Sequence, residues 1–145
     1  MGLDMYLTGK RYLHDDAENK AVNSNVDLGQ GDFTINEVCI DVGYWRKANM
    51  IHQWFVENVQ NNEDECRIHH VPRESLKKLY NLCYDIYKDK NVNKAQEVLP
   101  TQSGFFFGST QYDDDYFEDI KLTIDIIDKA LKLDERWDFY YQSSW

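Results

Sequence analysis

Basic residues are scarce in this chain. Sixteen Lys and Arg stand against 26 Asp and Glu, leaving a net charge of −10. That balance argues against direct nucleic-acid binding, which draws much of its strength from a cationic face that releases counterions. Long apolar runs are also missing. None approaches the roughly 18 residues that a membrane-crossing helix needs, so no membrane partner is expected. The three cysteines, Cys39, Cys66 and Cys83, are odd in number and widely spaced. They read as free thiols in a reducing compartment rather than a disulfide framework. Cys39 and Cys83 fall in apolar-rich stretches and are expected to be small buried hydrophobes. The opening Met1-Gly2-Leu3-Asp4-Met5 has neither the basic nor the apolar region of a secretory signal, so a cytoplasmic location is expected. There are only two prolines, no repeats and no linker-like tract. One domain over residues 1–145 follows.

What the chain does have is aromatic mass: ten Tyr, seven Phe and four Trp in 145 residues. That is enough for a sizeable core. Residues 2–13 alternate, with Leu3, Met5 and Leu7 on one side, as in a half-buried strand. Residues 14–32 are almost wholly polar and read as a long mobile loop. Residues 33–42 read as a second strand with Val38, Ile40 and Val42 on one side. Gly43 reads as a break, after which Trp45, Ala48, Ile51 or His52, Phe55 and Val59 recur at helical spacing to about Gln60. Pro72 opens a further helix with the stripe Leu76, Leu79, Tyr80, Cys83, Ile86 and Tyr87. A short helix is expected around 93–98. Phe105-Phe106-Phe107 between Gly104 and Gly108 reads as a short buried strand. Asp113-Asp114-Asp115 opens the best helix, with Lys129 and Lys132 near its end to suit the dipole. Trp137, Phe139 and Tyr141 share one face of a final strand, and Trp145 reads as a docked tail. The order β-β-α-α-β-α-β predicts a single α+β domain, a mostly antiparallel sheet with about three helices packed on it.

Several segments carry candidate chemistry. Tyr44, Trp45, Arg46, Lys47, Asn49 and His52 crowd a strand-to-helix junction, where cations and a helix start suit an anion and the rings suit stacking. Gln102 and Ser103 precede the glycine-flanked Phe run and could complete such a ligand site. If the chain is an enzyme, His52 is the candidate acid or base, with Arg46 and Lys47 holding an anion. No nucleophile accompanies it, and neither a phosphate-binding loop nor a G-x-S-x-G elbow is present. Asp113, Asp114 and Asp115, together with Tyr140 and Trp145, are candidates for meeting a protein partner. The acidic run with Glu118 and Asp119 lacks the spacing of an EF-hand loop. Cys66 with His69 and His70 supplies too few ligands for a structural zinc site. No metal and no cofactor are expected. The acidity of residues 111–145, ten acids against four bases, reads as a solvated helix face or as mimicry of nucleic-acid phosphates.

The stretches MGLDMYL, GYWRKANMIHQWF, LPTQSGFFFGSTQYDDDYFEDI and WDFYYQSSW together resemble a family of small phage, prophage and bacterial proteins that has no established activity. The resemblance implies a soluble product of a phage or mobile element, acting in the host cytoplasm. It brings no catalytic residues. The leading expectation is a binding protein for a host protein or a nucleotide-like ligand, in counter-defence or host takeover. The alternatives are a small enzyme acting on a phosphorylated or nucleotide substrate, and a structural or accessory phage component.

Overall fold

The computed structural model describes residues 2–14, 17–27, 29 and 33–145. Its order is β1 (Asp4–Tyr12), α1 (Ala17–Asn25), β2 (Glu37–Arg46), α2 (Asn49–Asn58), β3 (His69–Val71), α3 (Arg73–Asp89), α4 (Val92–Val98), α5 (Asp114–Leu131) and β4 (Trp137–Ser144). The strands form one antiparallel sheet in the order β2-β1-β4-β3. The protein is therefore an α+β domain with a wholly antiparallel sheet. It has five helices among the described residues rather than about three.

The alternation of β1 decides the layers. Leu3, Met5 and Leu7 are fully buried, whereas Tyr6 is exposed. On β4, Phe139 and Tyr141 point to the same covered face. Over that face lie the apolar stripes of α2, α3 and α5, including Ile51, Phe55, Leu76, Leu79, Ile120 and Ile127. Each fully buried aliphatic or aromatic side chain contributes about 1.5–3 kcal/mol of transfer free energy. The helix at 114–131 starts on Asp113, whose carboxylate accepts from the Tyr116 amide, and carries Asp114 and Asp115 in its first turn. This is the charge placement that the helix dipole favours.

Four local expectations are corrected. Gly43 does not break β2, which runs on to Arg46, so Trp45 lies on a strand and not on a helix. A bulge explains the change of pattern. Leu7 faces Gly43 and Thr8 faces Asp41, leaving Val42 as the extra residue. Beyond it, Gly43 and Trp45 turn inward. Gly43 is required by packing, since a Cβ there would stand 2.3 Å from Ile126 Cγ2 of α5. Second, Phe105–Phe107 is a turn and not a buried strand. Phe105 is 85% exposed, and Phe106 is 46% exposed at φ +64°. Glycines on both sides let the chain turn where an unbroken apolar run suggested a strand. The third strand in sequence is instead His69–Val71, too short to show alternation. Third, α1 occupies nine residues of the stretch expected as a loop, while 15, 16, 28 and 30–32 lie outside the described residues. Fourth, Cys39 is exposed, on the outer face of β2, whereas Cys83 is buried as expected.

Candidate functional site

The candidate site is a cleft of about 310 Å³ between the end of β2 and the first turns of α5. Arg46 and Lys47 form one wall. Asp113, Asp115, Glu118 and Asp119 form the other, and Thr101, Ser109 and Gln111 close the side. Asp115 and Asp119 are four apart on α5, so they share a helical face. None of these six charged side chains has an ion-pair partner among the described residues. The cleft thus sets unpaired cations opposite a larger number of unpaired carboxylates.

The framework around it is fixed. Asn49 is 2% exposed and opens α2. Its amide nitrogen donates to the carbonyls of Phe107 and Ser109 at 3.1 and 2.9 Å, and its oxygen accepts from the Gln102 amide at 2.9 Å. One side chain therefore saturates three backbone groups of the 101–109 loop. Lys47 sits at φ +59°, a region that costs a non-glycine residue free energy and tends to mark sites held in place by their surroundings. Two glycines flank its side chain. A Cβ on Gly108 would lie 2.9 Å from Lys47 Cβ, and one on Gly2 would lie 3.4 Å from Lys47 Cε.

Crowding shows in the titration of Asp119. Its carboxyl is pushed up to about 6, first by burial and then by the neighbouring charges of Asp115, Glu118 and Asp113. Burial and like charge both penalise the ionised form. The cleft sets four carboxylates against two cations.

His52 has a different fate from Arg46 and Lys47. It is 1% exposed, and both ring nitrogens are engaged. Nδ1 lies 2.7 Å from the Tyr141 hydroxyl, and Nε2 lies 3.0 Å from Asp64 Oδ1. The carboxylate can only accept, which assigns the proton to Nε2 and makes the Tyr141 hydroxyl the donor to Nδ1. Burial lowers the His52 pKa, against the pull of Asp64, in keeping with a neutral ring. Tyr141 is itself fully buried and stacked on Phe55 at 3.9 Å. The relay therefore runs from Tyr141 in the core, through the buried ring, to Asp64 at the surface, where the same carboxylate oxygen also accepts from Trp145. The His52 ring itself is closed to solvent, so it meets the surface only through Asp64.

The other candidates separate in space. Tyr44 lies exposed on the outer face of the sheet, its hydroxyl donating to Asp4. Trp45 is in the core, where its indole N–H donates to Thr123 Oγ1 at 2.9 Å. The Gln102 side chain is half-buried and Ser103 is exposed, and neither lines the cleft. Asp114 faces a neighbouring hollow with Tyr87, Lys90 and Lys121. Tyr140 lies on the outer sheet face under Lys10 Nζ, 5.0 Å from its ring centre. Trp145 is 56% exposed, and its indole N–H donates to Asp64 at 3.1 Å. Of the ligand and partner candidates, Arg46, Lys47, Asn49, Asp113 and Asp115 come together at the cleft. Gln111 and Tyr116 join them without having been singled out, although Tyr116 stands one residue beyond the Asp run. Among the described residues, no three His, Cys, Asp or Glu side chains form a group able to hold a metal ion. No helix of those residues is long and apolar enough to cross a membrane.

No family model matches the chain, and no curated protein or solved structure is significantly similar to it.

Proposed function

We propose that this chain is a small binding protein of phage or mobile-element type, and that its partner is a host protein engaged through the charged cleft. The observation that carries the reading is the facing pair of unpaired walls, Arg46 and Lys47 against Asp113, Asp115, Glu118 and Asp119. Unpaired charges on a rigid frame are matched by a partner of complementary pattern, and they set specificity and encounter rate. Four carboxylates against two cations favour a partner surface that is mainly basic with an acid placed among its bases. A nucleotide-like ligand is the less suited of the two, because its phosphates would meet the carboxylate wall. The burial of the His52 ring weighs against the enzyme alternative, and nothing in the site favours a structural component.

The experiment is affinity capture from host lysate at low and high salt, with the wild type and with an Asp115→Asn/Asp119→Asn double variant. A salt-sensitive protein partner that the double variant loses is the expected result. A panel of nucleotides in a thermal-shift assay runs beside it. A nucleotide that raises Tm in the wild type but not in Arg46→Ala would replace the protein partner with a small anionic ligand.

A further inference from the structure

A second hollow lies on the opposite side of the sheet, at the bulge. It measures about 430 Å³ and is lined by Tyr6, Asp41, Val42, Gly43 and Tyr44. The bulge makes it. In a regular strand, residues 41 and 43 would be the outward neighbours. Here Val42 is the extra residue, so Asp41 and Tyr44 are the neighbours on the outer face and a gap opens between them. Tyr6 stands opposite Tyr44 across the ladder. The two rings lie 5.5 Å apart, tilted by 43°, and are 41% and 48% exposed. The Tyr44 ring is held by the hydrogen bond from its hydroxyl to Asp4. The Asp41 carboxylate has no hydrogen-bond or ion-pair partner among the described residues.

We propose that this notch receives an arginine side chain of the protein partner. Two tyrosine faces attract a cation through their quadrupoles. A carboxylate beside them offers the two-oxygen edge that a planar guanidinium matches, and guanidinium also stacks on rings. The chain already uses this chemistry on the same face, where Lys10 lies over Tyr140. None of its own described cations lies over Tyr6 or Tyr44 in that way. Asp4 and Asp41 stand beside the pair, with Arg46 opposite Asp4 and lining the cleft as well, and with Lys10 turned to the Tyr140 ring. Charge complementarity therefore selects a cation. The need to fill a flat notch and bond a carboxylate selects guanidinium over ammonium. This second contact rests on the reading of a protein partner given above, but on different residues.

The test is an NMR titration of the whole chain with N-acetyl-arginine amide, and with N-acetyl-citrulline amide as its uncharged counterpart. Saturable shifts at Tyr6, Tyr44 and Asp41 in the millimolar range are expected with arginine, and none with citrulline. Tyr44→Leu and Asp41→Asn are exposed substitutions that leave the fold intact, and each weakens binding by roughly three- to fivefold, in line with the modest worth of exposed cation–π contacts. Shifts confined to Asp115 and Asp119 would overturn the notch and leave the cleft standing. Equal response to citrulline, or no saturable response at the tyrosines, would overturn it as well. Failure of the cleft is read separately, from the double variant in the capture experiment.

Discussion

Arg46 and Lys47 lie only a few residues before His52, yet the two groups meet opposite fates. The His52 imidazole is enclosed, and each nitrogen has a partner. The two cations stand in an open cleft with no ion-pair partner among the described residues. A buried polar group with all its bonds made is part of the frame. A charge left unpaired on a rigid frame is available to something else. The polarity of a residue does not separate these cases, and its surroundings do.

Substitutions on either side can break or sharpen that contrast. The largest effect is expected from Asn49→Ala, which removes three hydrogen bonds to the 101–109 loop. At about 1 kcal/mol for each bond, it should cost about 3 kcal/mol in urea unfolding. Amide exchange should quicken at Gln102, whose N–H loses its acceptor. A loss under 1 kcal/mol would mean that the loop is held by something other than Asn49.

Asp119→Asn should act in the opposite direction. With the folded-state carboxyl raised to about 6 above an ordinary value near 3.9, the unfolded chain ionises first as pH rises. The folded state then holds the extra proton between about pH 4 and pH 6, and stability falls through that window. The variant escapes this fall. After discounting for solvent at a partly exposed group, it should be about 1–2 kcal/mol more stable than the wild type at pH 7, with the difference gone near pH 4. Parallel stability curves across that range would show that neither burial nor the neighbouring carboxylates raise the Asp119 carboxyl. If the stabilised variant also loses the partner, crowding in the cleft is a cost of binding.

Tyr141→Phe takes the donor away from His52 Nδ1 and should cost about 1 kcal/mol. It should also raise the His52 pKa, followed by NMR, because the freed nitrogen no longer accepts a bond that favours the neutral ring. An unchanged pKa would undo the proton assignment. The smallest effect is expected for Arg46→Ala, within about 0.5 kcal/mol of wild type. A larger loss would place Arg46 in the frame rather than among the available charges.

Much of the frame was legible in the sequence because single periodicities govern it. Leu3, Met5 and Leu7 alternate, Leu76 to Ile86 recur at helical spacing, and both patterns survive in the fold. The bulge was not legible. A glycine in a strand pattern reads as a stop, and only the close approach of Ile126 shows why Gly43 belongs there. Tertiary packing overrode the local preference. The cleft was half legible. Its cations and its acidic helix start were both visible as candidates, 66 residues or more apart in sequence. Nothing local reports that the two face each other, or that His52 points inward to Asp64 and Tyr141.

The strand order bears on how the molecule assembles. β1 lies between β2 and β4, and Asp4 stands opposite Ser144. One flank of β1 can therefore be satisfied early, by the nearby β2. The other flank waits for a segment far along the chain, and β3 in turn has β4 as its neighbour. Closing so long a loop carries an entropic toll before the ladder repays it, and contacts of this range slow folding. The sheet is thus completed from its β2 edge across to β3. Until β4 docks, the inner faces of β1 and α5 lack the Phe139 and Tyr141 side chains that help close the core.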